Sequence, residues 1–306
     1  MSTVRSFAEL RERVALKPPR VVAVAGPEGE PTLRSVEAAC AAGIARCILV
    51  GDAGRTLQRL EALGIGDDGC EVVHARDEAA AARLAVRLVR AGAADILMKG
   101  SLRTSTLMQA ALDRSAGLRS GRLLSDVFLF PFHSRGRERL IGITDGGVTP
   151  HPTLEQKAQI LANAVELFHG LGVRRPRVAV LSAVEAATPT FPASEDALAL
   201  QRMWEEGAFA ACEVGGPLAM DLALSTKAAR LKGFASPVAG KADVLLFPTL
   251  EAANITAKAI EYVVPVEPAH AVVGGSAPIL IPSRSESAEA RLNGIALGCW
   301  LAKGNA

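Results

Sequence analysis

Arg20-Val21-Val22-Ala23-Val24-Ala25-Gly26-Pro27 sets the reading of the whole chain. After Arg20 the run is continuously apolar and stops at a Gly-Pro pair, as expected of a short strand buried on both faces. A helical pattern follows from about Thr32 to Ala42. A second apolar run, Arg46 to Val50, closes at Gly51-Asp52. The alternation goes on with helix 53–63, strand 71–74, helix 77–91 and strand 95–98. Ahead of it, residues 6–17 put Phe7, Leu10, Val14 and Leu16 on one side of an amphipathic helix. Buried strands alternating with helices are βαβ units, so the class is α/β with a parallel sheet. Ligands of such sheets sit at the carboxyl ends of strands. The loops to inspect are therefore 26–32, 51–53 and 99–106.

The first two loops carry no phosphate-binding fingerprint. Gly26-Pro27-Glu28-Gly29 is not G-x-G-x-x-G, and its glutamate would repel a pyrophosphate. Lys99-Gly100-Ser101 has the wrong order for a Walker A loop. Nicotinamide and ATP enzymes of the usual kinds are disfavoured. In the third loop, Lys99-Gly100-Ser101-Leu102-Arg103-Thr104-Ser105-Thr106 follows a strand directly. Two cations and four hydroxyls at a strand-to-helix junction can hold an anion. Ser101, Thr104 and Ser105 are equally ordinary helix N-cap residues.

A second such junction lies near the other end of the chain. Gly274-Gly275-Ser276-Ala277-Pro278 leads into Ile279-Leu280-Ile281, and Pro282-Ser283-Arg284-Ser285-Glu286-Ser287 follows. Ala288, Leu292, Ile295 and Cys299 then recur at helical spacing. The expectation is a buried strand delivering Ser283 and Arg284 to a helix start, where unpaired N–H groups and a guanidinium favour phosphate. The structural alternative is an S-x-x-E capping box of Ser283 with Glu286.

Between these junctions, Leu123–Phe130 and Arg139–Thr144 read as antiparallel strands around the polar turn Ser134-Arg135-Gly136-Arg137, whose arginines read as turn charges. Asp145-Gly146-Gly147 comes next, with Asp145 either a catalytic carboxylate or an Asx turn, the turn being preferred. Thr153 with Gln156 forms a capping box for a helix to about His169, and His151 reads as a surface residue. A second α/β run holds strands 177–181 and 243–247, with Asn254 early in a helix, and strands 271–274 and 279–281 complete the sheet. Topology places a boundary near 144–150. The expected domains are 1–145 and 146–285, with helix 286–306 packing back on the first and closing a cleft around Ser283 and Arg284.

Composition narrows the function. The chain has 306 residues, enough for two domains, and a formal charge of only +2. That charge forms no basic stripe, so no nucleic-acid partner is expected. No apolar run reaches transmembrane length and no secretory h-region is seen, so no membrane partner is expected and the protein reads as cytoplasmic. Cys40, Cys47, Cys70, Cys212 and Cys299 contain no C-x-x-C pair and read as reduced, buried residues. His74, His133, His151, His169 and His270 show no metal spacing, so no protein-bound metal is expected.

Several segments recur in a telling order: Leu97-Met98-Lys99-Gly100-Ser101, Ile143-Thr144-Asp145-Gly146-Gly147, Pro152-Thr153-Leu154-Glu155-Gln156-Lys157, Gly216-Pro217-Leu218-Ala219-Met220-Asp221, Phe247-Pro248-Thr249-Leu250-Glu251-Ala252-Ala253-Asn254 and Pro282-Ser283-Arg284-Ser285. From about residue 90 to the end, the chain resembles the phosphate acetyltransferase/butyryltransferase family, and looks closer to its butyryltransferase branch. The resemblance implies two α/β domains flanking a cleft, of the isocitrate/isopropylmalate-dehydrogenase-like type, and a homodimer. It implies conversion of a short-chain acyl-CoA and inorganic phosphate to acyl phosphate and CoA, reversibly. No cofactor is bound permanently; coenzyme A is substrate or product. Ser283 and Arg284 are the expected catalytic pair. Lys99, Ser101, Thr104, Ser105, Thr144, Asp145, Asn254 and Ser276 are the expected phosphate- or substrate-binding set. One departure bears on mechanism: the acetyltransferase branch often has an aspartate seven residues after the serine, as base for the thiol, and Ala290 stands there. Ala253 stands where the family more often has glycine.

Two other readings stay open on the residues alone. A non-catalytic CoA- or acyl-phosphate-binding homologue is motivated by Ala290. A metal-dependent decarboxylating dehydrogenase of the same fold would need clustered aspartates, and Asp145, Asp221 and Asp243 lie far apart in sequence.

Overall fold

The structure, a computed structural model, describes residues 2–66, 68–134 and 136–303; Arg135 of the 134–137 turn lies outside them. Contacts divide the chain into two units. One comprises Phe7–Arg122 with the C-terminal segment from Glu267; the other comprises Leu123–Val266 with the N-terminal segment up to Ser6. The division falls at 122/123 and 266/267, whereas topology in the sequence pointed to 145/146 and 285/286. Strand pairing gives the reason for the first shift: the segment 137–144 pairs in parallel with 244–246, so the hairpin before residue 145 belongs to the same sheet as the strands C-terminal to it.

In the first unit the elements run α1 (Phe7–Ala15), β1 (Arg20–Ala25), α2 (Glu30–Ala41), β2 (Ala45–Gly51), α3 (Ala53–Leu63), β3 (Cys70–His74), α4 (Glu78–Arg90), β4 (Ile96–Lys99) and α5 (Thr104–Ala111). Local chemistry fixes their ends. Asp52 and Asp77 accept from the backbone N–H groups of Arg55 and Ala80 and cap α3 and α4. Gly64, at φ 65°, supplies the left-handed cap that ends α3. β1, β2 and β4 are mostly buried, whereas β3 lies at the sheet edge and is only half-buried.

The second unit holds β5 (Ser125–Ser134), β6 (Arg137–Thr144), α6 (Leu154–Gly170), β7 (Arg177–Leu181), α7 (Pro192–Glu205), β8 (Glu213–Leu218), α8 (Met220–Leu224), α9 (Thr226–Leu231), β9 (Val244–Leu246) and α10 (Leu250–Val263). Its strands lie in the order β5-β6-β9-β7-β8, with β5 antiparallel to β6 and the rest parallel. Phe128, Phe130, Ile143, Leu181, Leu218 and Leu245 share one core cluster. Thr153 and Gln156 close the capping box that opens α6. The short helices α8 and α9 have no counterpart in the sequence reading; each is under two turns, too short for periodicity to register.

The chain then returns to the first unit with β10 (Ala269–Val273), β11 (Ile279–Leu280) and α11 (Ala288–Leu301). The strand order there is β3-β2-β1-β4-β11-β10. β11 runs parallel to β4, pairing Ile279 with Leu97 and Leu280 with Met98, while β10 is antiparallel to β11. α11 packs on α1 and α2 and is buried over most of its length. Among the described residues no helix is long and apolar enough to cross a membrane.

Candidate functional site

Pairing of β4 with β11 places two loops side by side. Lys99 ends β4, and Ser283-Arg284 follows β11 at the same, carboxyl, end of two neighbouring parallel strands. Both loops therefore belong to one unit and leave neighbouring strand ends.

The backbone under Lys99 is tightly tied. Gly100 N–H donates to the Ala25 carbonyl at 2.8 Å and Ser101 N–H to the Gly26 carbonyl at 2.6 Å. A Cβ on Gly100 would fall inside the Gly26 carbonyl oxygen, so only glycine fits. Lys99 itself is buried, at 2 % exposure, and its ammonium donates to the Gly100 carbonyl at 3.4 Å. Burial pushes its pKa down to about 8; Arg291 and Arg284 act the same way and Glu286 opposes them. Beyond it, Ser101, Thr104 and Ser105 are exposed at the start of α5.

The second loop differs from its sequence reading. The helix begins later: Ser287 is the N-cap of α11, its hydroxyl accepting from Ala290 N–H at 3.0 Å. Ser283 and Arg284 therefore sit on a turn ahead of the helix, not at its first residues. A nearer cap wins because Ser287 precedes the continuous apolar face, while Pro282 to Glu286 must turn away from β11. Half of the expected capping box survives, since the Glu286 carboxylate accepts from Ser283 N–H at 2.7 Å. The Ser283 hydroxyl instead meets that of Ser285 at 3.1 Å. Glu286 is not a solvated cap: it is 4 % exposed and lies 3.3 Å from His270 Nε2 on β10. Arg284 is exposed.

Arg291 was not singled out by sequence reasoning, yet it holds this turn. Its buried guanidinium donates from Nη2 to the Ser283 carbonyl at 2.6 Å, from Nη1 to Thr32 Oγ1 at 3.3 Å and from Nε to the Glu286 carbonyl at 3.4 Å. The available signal was an arginine alone in an otherwise uncharged stretch, Ala290 to Ala302. Lys99, Arg284 and Arg291 thus face a single carboxylate, Glu286, and the balance of charge suits an anion.

The other predicted residues gather elsewhere. Ser276, in the same unit, donates through N–H and hydroxyl to the Leu118 carbonyl at 2.9 and 3.3 Å, tying one loop to another. Thr144, Asp145 and Asn254 lie together in the second unit, where each braces the 144–149 loop. Thr144 donates to the Asp126 carbonyl at 2.8 Å and Asn254 to the Gly146 carbonyl at 3.0 Å. The Asp145 carboxylate accepts from the N–H groups of Gly147, Val148, Thr149 and Asp126. That is the preferred turn role. Ala253 is helical and buried, so its methyl fits.

A cavity of about 390 Å³ opens at the ends of β1, β2 and β3, between the first two loops. Glu28, Asp52, Asp77 and Glu78 outnumber Arg55 and Arg76 on its wall, and Glu28 is engaged with Asp52 N–H at 3.1 Å. Asp221 pairs with Lys232 at 3.1 Å and Asp243 with Arg139 at 2.8 Å. Among the described residues no three His, Cys, Asp or Glu side chains are grouped as a metal site would need. Cys40 and Cys70 are half-exposed rather than buried, with sulfurs 3.9 Å apart.

Comparison with known proteins finds relatives over nearly the whole chain. The chain is 38 % identical to a phosphate butyryltransferase of Clostridium acetobutylicum, over 98 % of this chain and 99 % of that one. Its structure superposes on a branched-chain phosphotransacylase from Enterococcus faecalis with a TM-score of 0.82 at 29 % identity, covering 92 % and 98 % of the two chains. A 4-hydroxythreonine-4-phosphate dehydrogenase from Klebsiella pneumoniae, at TM-score 0.55 and 14 % identity over 93 % of this chain and all of that one, shares the dehydrogenase-like fold alone. Residues 77–299 match the family described as "Phosphate acetyl/butaryl transferase", and with sequence similarity over nearly the full length of both chains beside that match, the chain belongs to the phosphate acetyl/butyryl transferase family.

Proposed function

We propose that this chain is a phosphate acyltransferase, moving a short-chain acyl group reversibly between coenzyme A and inorganic phosphate. One observation carries the reading from the fold to the chemistry: buried Lys99 and the Ser283-Arg284 turn stand at adjacent strand ends with a surplus of positive charge. Phosphate and acyl phosphate are multiply charged, so binding them needs fixed cations and donors. When a phosphate oxygen attacks the thioester carbon, negative charge builds on the carbonyl oxygen, and preorganised donors stabilise it. In this reading Arg284 holds the phosphoryl oxygens and polarises the carbonyl, Ser283 adds a hydroxyl, and the exposed hydroxyls of Ser101, Thr104 and Ser105 complete the anion shell. No covalent enzyme intermediate is needed; holding both reactants in line supplies much of the acceleration.

Incubating the purified protein with C2 to C6 acyl-CoA and phosphate, and reading free CoA thiol and acyl phosphate together, tests the reading. Both products should appear in equal amounts; release of neither rejects it. Arg284→Ala should lower kcat by about a hundredfold or more with the melting temperature unchanged, because Arg284 is exposed. The same reading places the enzyme in the cytoplasm as a homodimer. Five reduced cysteines support a reducing compartment. Ile255, Tyr262 and Val263 of α10, at 69, 67 and 80 % exposure, support a surface that a second copy would cover. Sedimentation of the wild type and of Val263→Asp tests the dimer; a wild-type monomer at micromolar concentration refutes it.

A further inference from the structure

Resting on the acyl-transfer reading, we propose that Lys99 is the proton carrier of the reaction, moving one proton between a phosphate oxygen and the CoA sulfur. The position where the acetyltransferase branch carries a carboxylate cannot do this. Ala290 is buried and helps to line a void of only about 10 Å³ with Met98, His270, Glu286 and Arg291. Neither nearby glutamate stands in for it. Glu286 is sealed between Ser283 N–H and His270, and Glu289 lies on the surface, paired with Arg11. The other cations near the turn are arginines, a residue type that does not shuttle protons.

Lys99 remains. It sits at the carboxyl end of β4, beside the strand that delivers Ser283 and Arg284. Among the described residues it has no carboxylate bonded to it, only the 3.4 Å contact with the Gly100 carbonyl. The charged groups facing it are Arg284 and Glu286 from the segment after β11 and Arg291 from α11, with His270 of β10 behind Glu286. A buried amine beside two guanidinium groups gives up its proton more readily than an exposed one, and the pKa lowered to about 8 agrees.

The step balances. An oxygen of hydrogen phosphate forms the C–O bond as the thioester C–S bond breaks. The Lys99 ammonium gives its proton to the departing sulfur, and the resulting amine takes the proton left on the new acyl hydrogen phosphate. One proton has moved from oxygen to sulfur and Lys99 is an ammonium again. The reverse reaction takes the same path.

Lys99→Arg keeps the charge but replaces the amine by a guanidinium, which does not give up its proton at working pH. The expected result is a phosphate KM within about threefold of wild type and a kcat lower by about a hundredfold or more. The alkaline fall in wild-type kcat/KM for phosphate, centred near pH 8, should be absent from the variant. A variant kcat within threefold of wild type overturns the proposal. So does a raised phosphate KM with an unchanged kcat, which would make Lys99 a binding charge only. If the variant does not fold, the wild type decides. With lysine labelled at the ε carbon, one NMR signal should titrate near pH 8 and move upward when inorganic phosphate is added; lysines that all titrate above pH 10 overturn the proposal. A wild type that turns over while the variant keeps its rate rejects Lys99 alone, whereas a wild type with no turnover rejects the acyl-transfer reading itself.

Discussion

Replacing Arg291 by methionine tests the claim that a buried guanidinium holds the Ser283-Arg284 turn. Methionine fills similar space but cannot donate. The substitution strips the Ser283 carbonyl of its 2.6 Å charged donor and leaves two weaker acceptors, Thr32 Oγ1 and the Glu286 carbonyl, without it. A hydrogen bond to a charged group contributes about 1.5–3 kcal/mol, and an acceptor left buried and unpaired adds to the loss. Apolar burial of the methionine offsets part of this, so a net loss of about 2–4 kcal/mol is expected. At about 2–4 °C per kcal/mol, the midpoint should fall by about 5–15 °C. Calorimetry is the suitable assay, because it reads the midpoint directly and shows whether the transition stays two-state. At a temperature where the variant is folded, kcat should drop about a hundredfold, since a displacement near 1 Å at a reacting group has that effect. An unchanged midpoint together with a kcat within twofold of wild type would refute the reasoning. A lower midpoint with full kcat would confine Arg291 to folding.

Gly100→Ala should cost about 3 kcal/mol, the upper end for overpacking, read as loss of soluble protein or a lowered urea midpoint, because its Cβ would overlap the Gly26 carbonyl oxygen; a normal midpoint refutes that packing. Asp145 gives a pH dependence. Burial first, then the Asp126 charge, raise its pKa from 3.8 to about 6 against the opposing backbone donors. The folded state therefore holds this proton more tightly than the unfolded chain, and the contribution is complete below about pH 4 and lost as pH climbs to about 6. The loss is about 3 kcal/mol; Asp145→Asn should flatten that slope in the denaturation midpoint, and an identical slope in both proteins counts against it. Among the cysteines, hydrogen bonds from Cys47 and Cys70 pull the Cys40 thiol down to about 4, while burial pushes Cys299 up to about 12 and Cys212 upward. At pH 6 iodoacetamide should modify Cys40 well before Cys212 and Cys299, measured by peptide mass spectrometry; equal rates would contradict the arrangement.

The α/β architecture was legible in the residues because each strand buried on two faces becomes an unbroken apolar run, as in β1, β2, β4 and β7, and each flanking helix carries its own stripe and cap. Lys99 and Ser283-Arg284 were legible for a related reason: hydroxyls and cations placed directly after such runs fall at strand ends, where parallel sheets gather ligands. The start of α11 was misplaced because Ser283 and Ser287 both satisfy the local rule for an N-cap, and only the turn of the backbone away from β11 selects between them. The extent of the units was misjudged because the β5–β6 hairpin looks alike wherever it docks.

By themselves the amino acids determined most of the succession of strands and helices and the residue types at their ends, since both depend on near neighbours along the chain. Tertiary structure alone decided that β11, from the far end of the chain, lies beside β4. It also decided that Arg291 and Glu286 are enclosed and that Lys99 stands among cations. Those outcomes depend on which distant surfaces exclude water together, and no local spacing of residues encodes that choice.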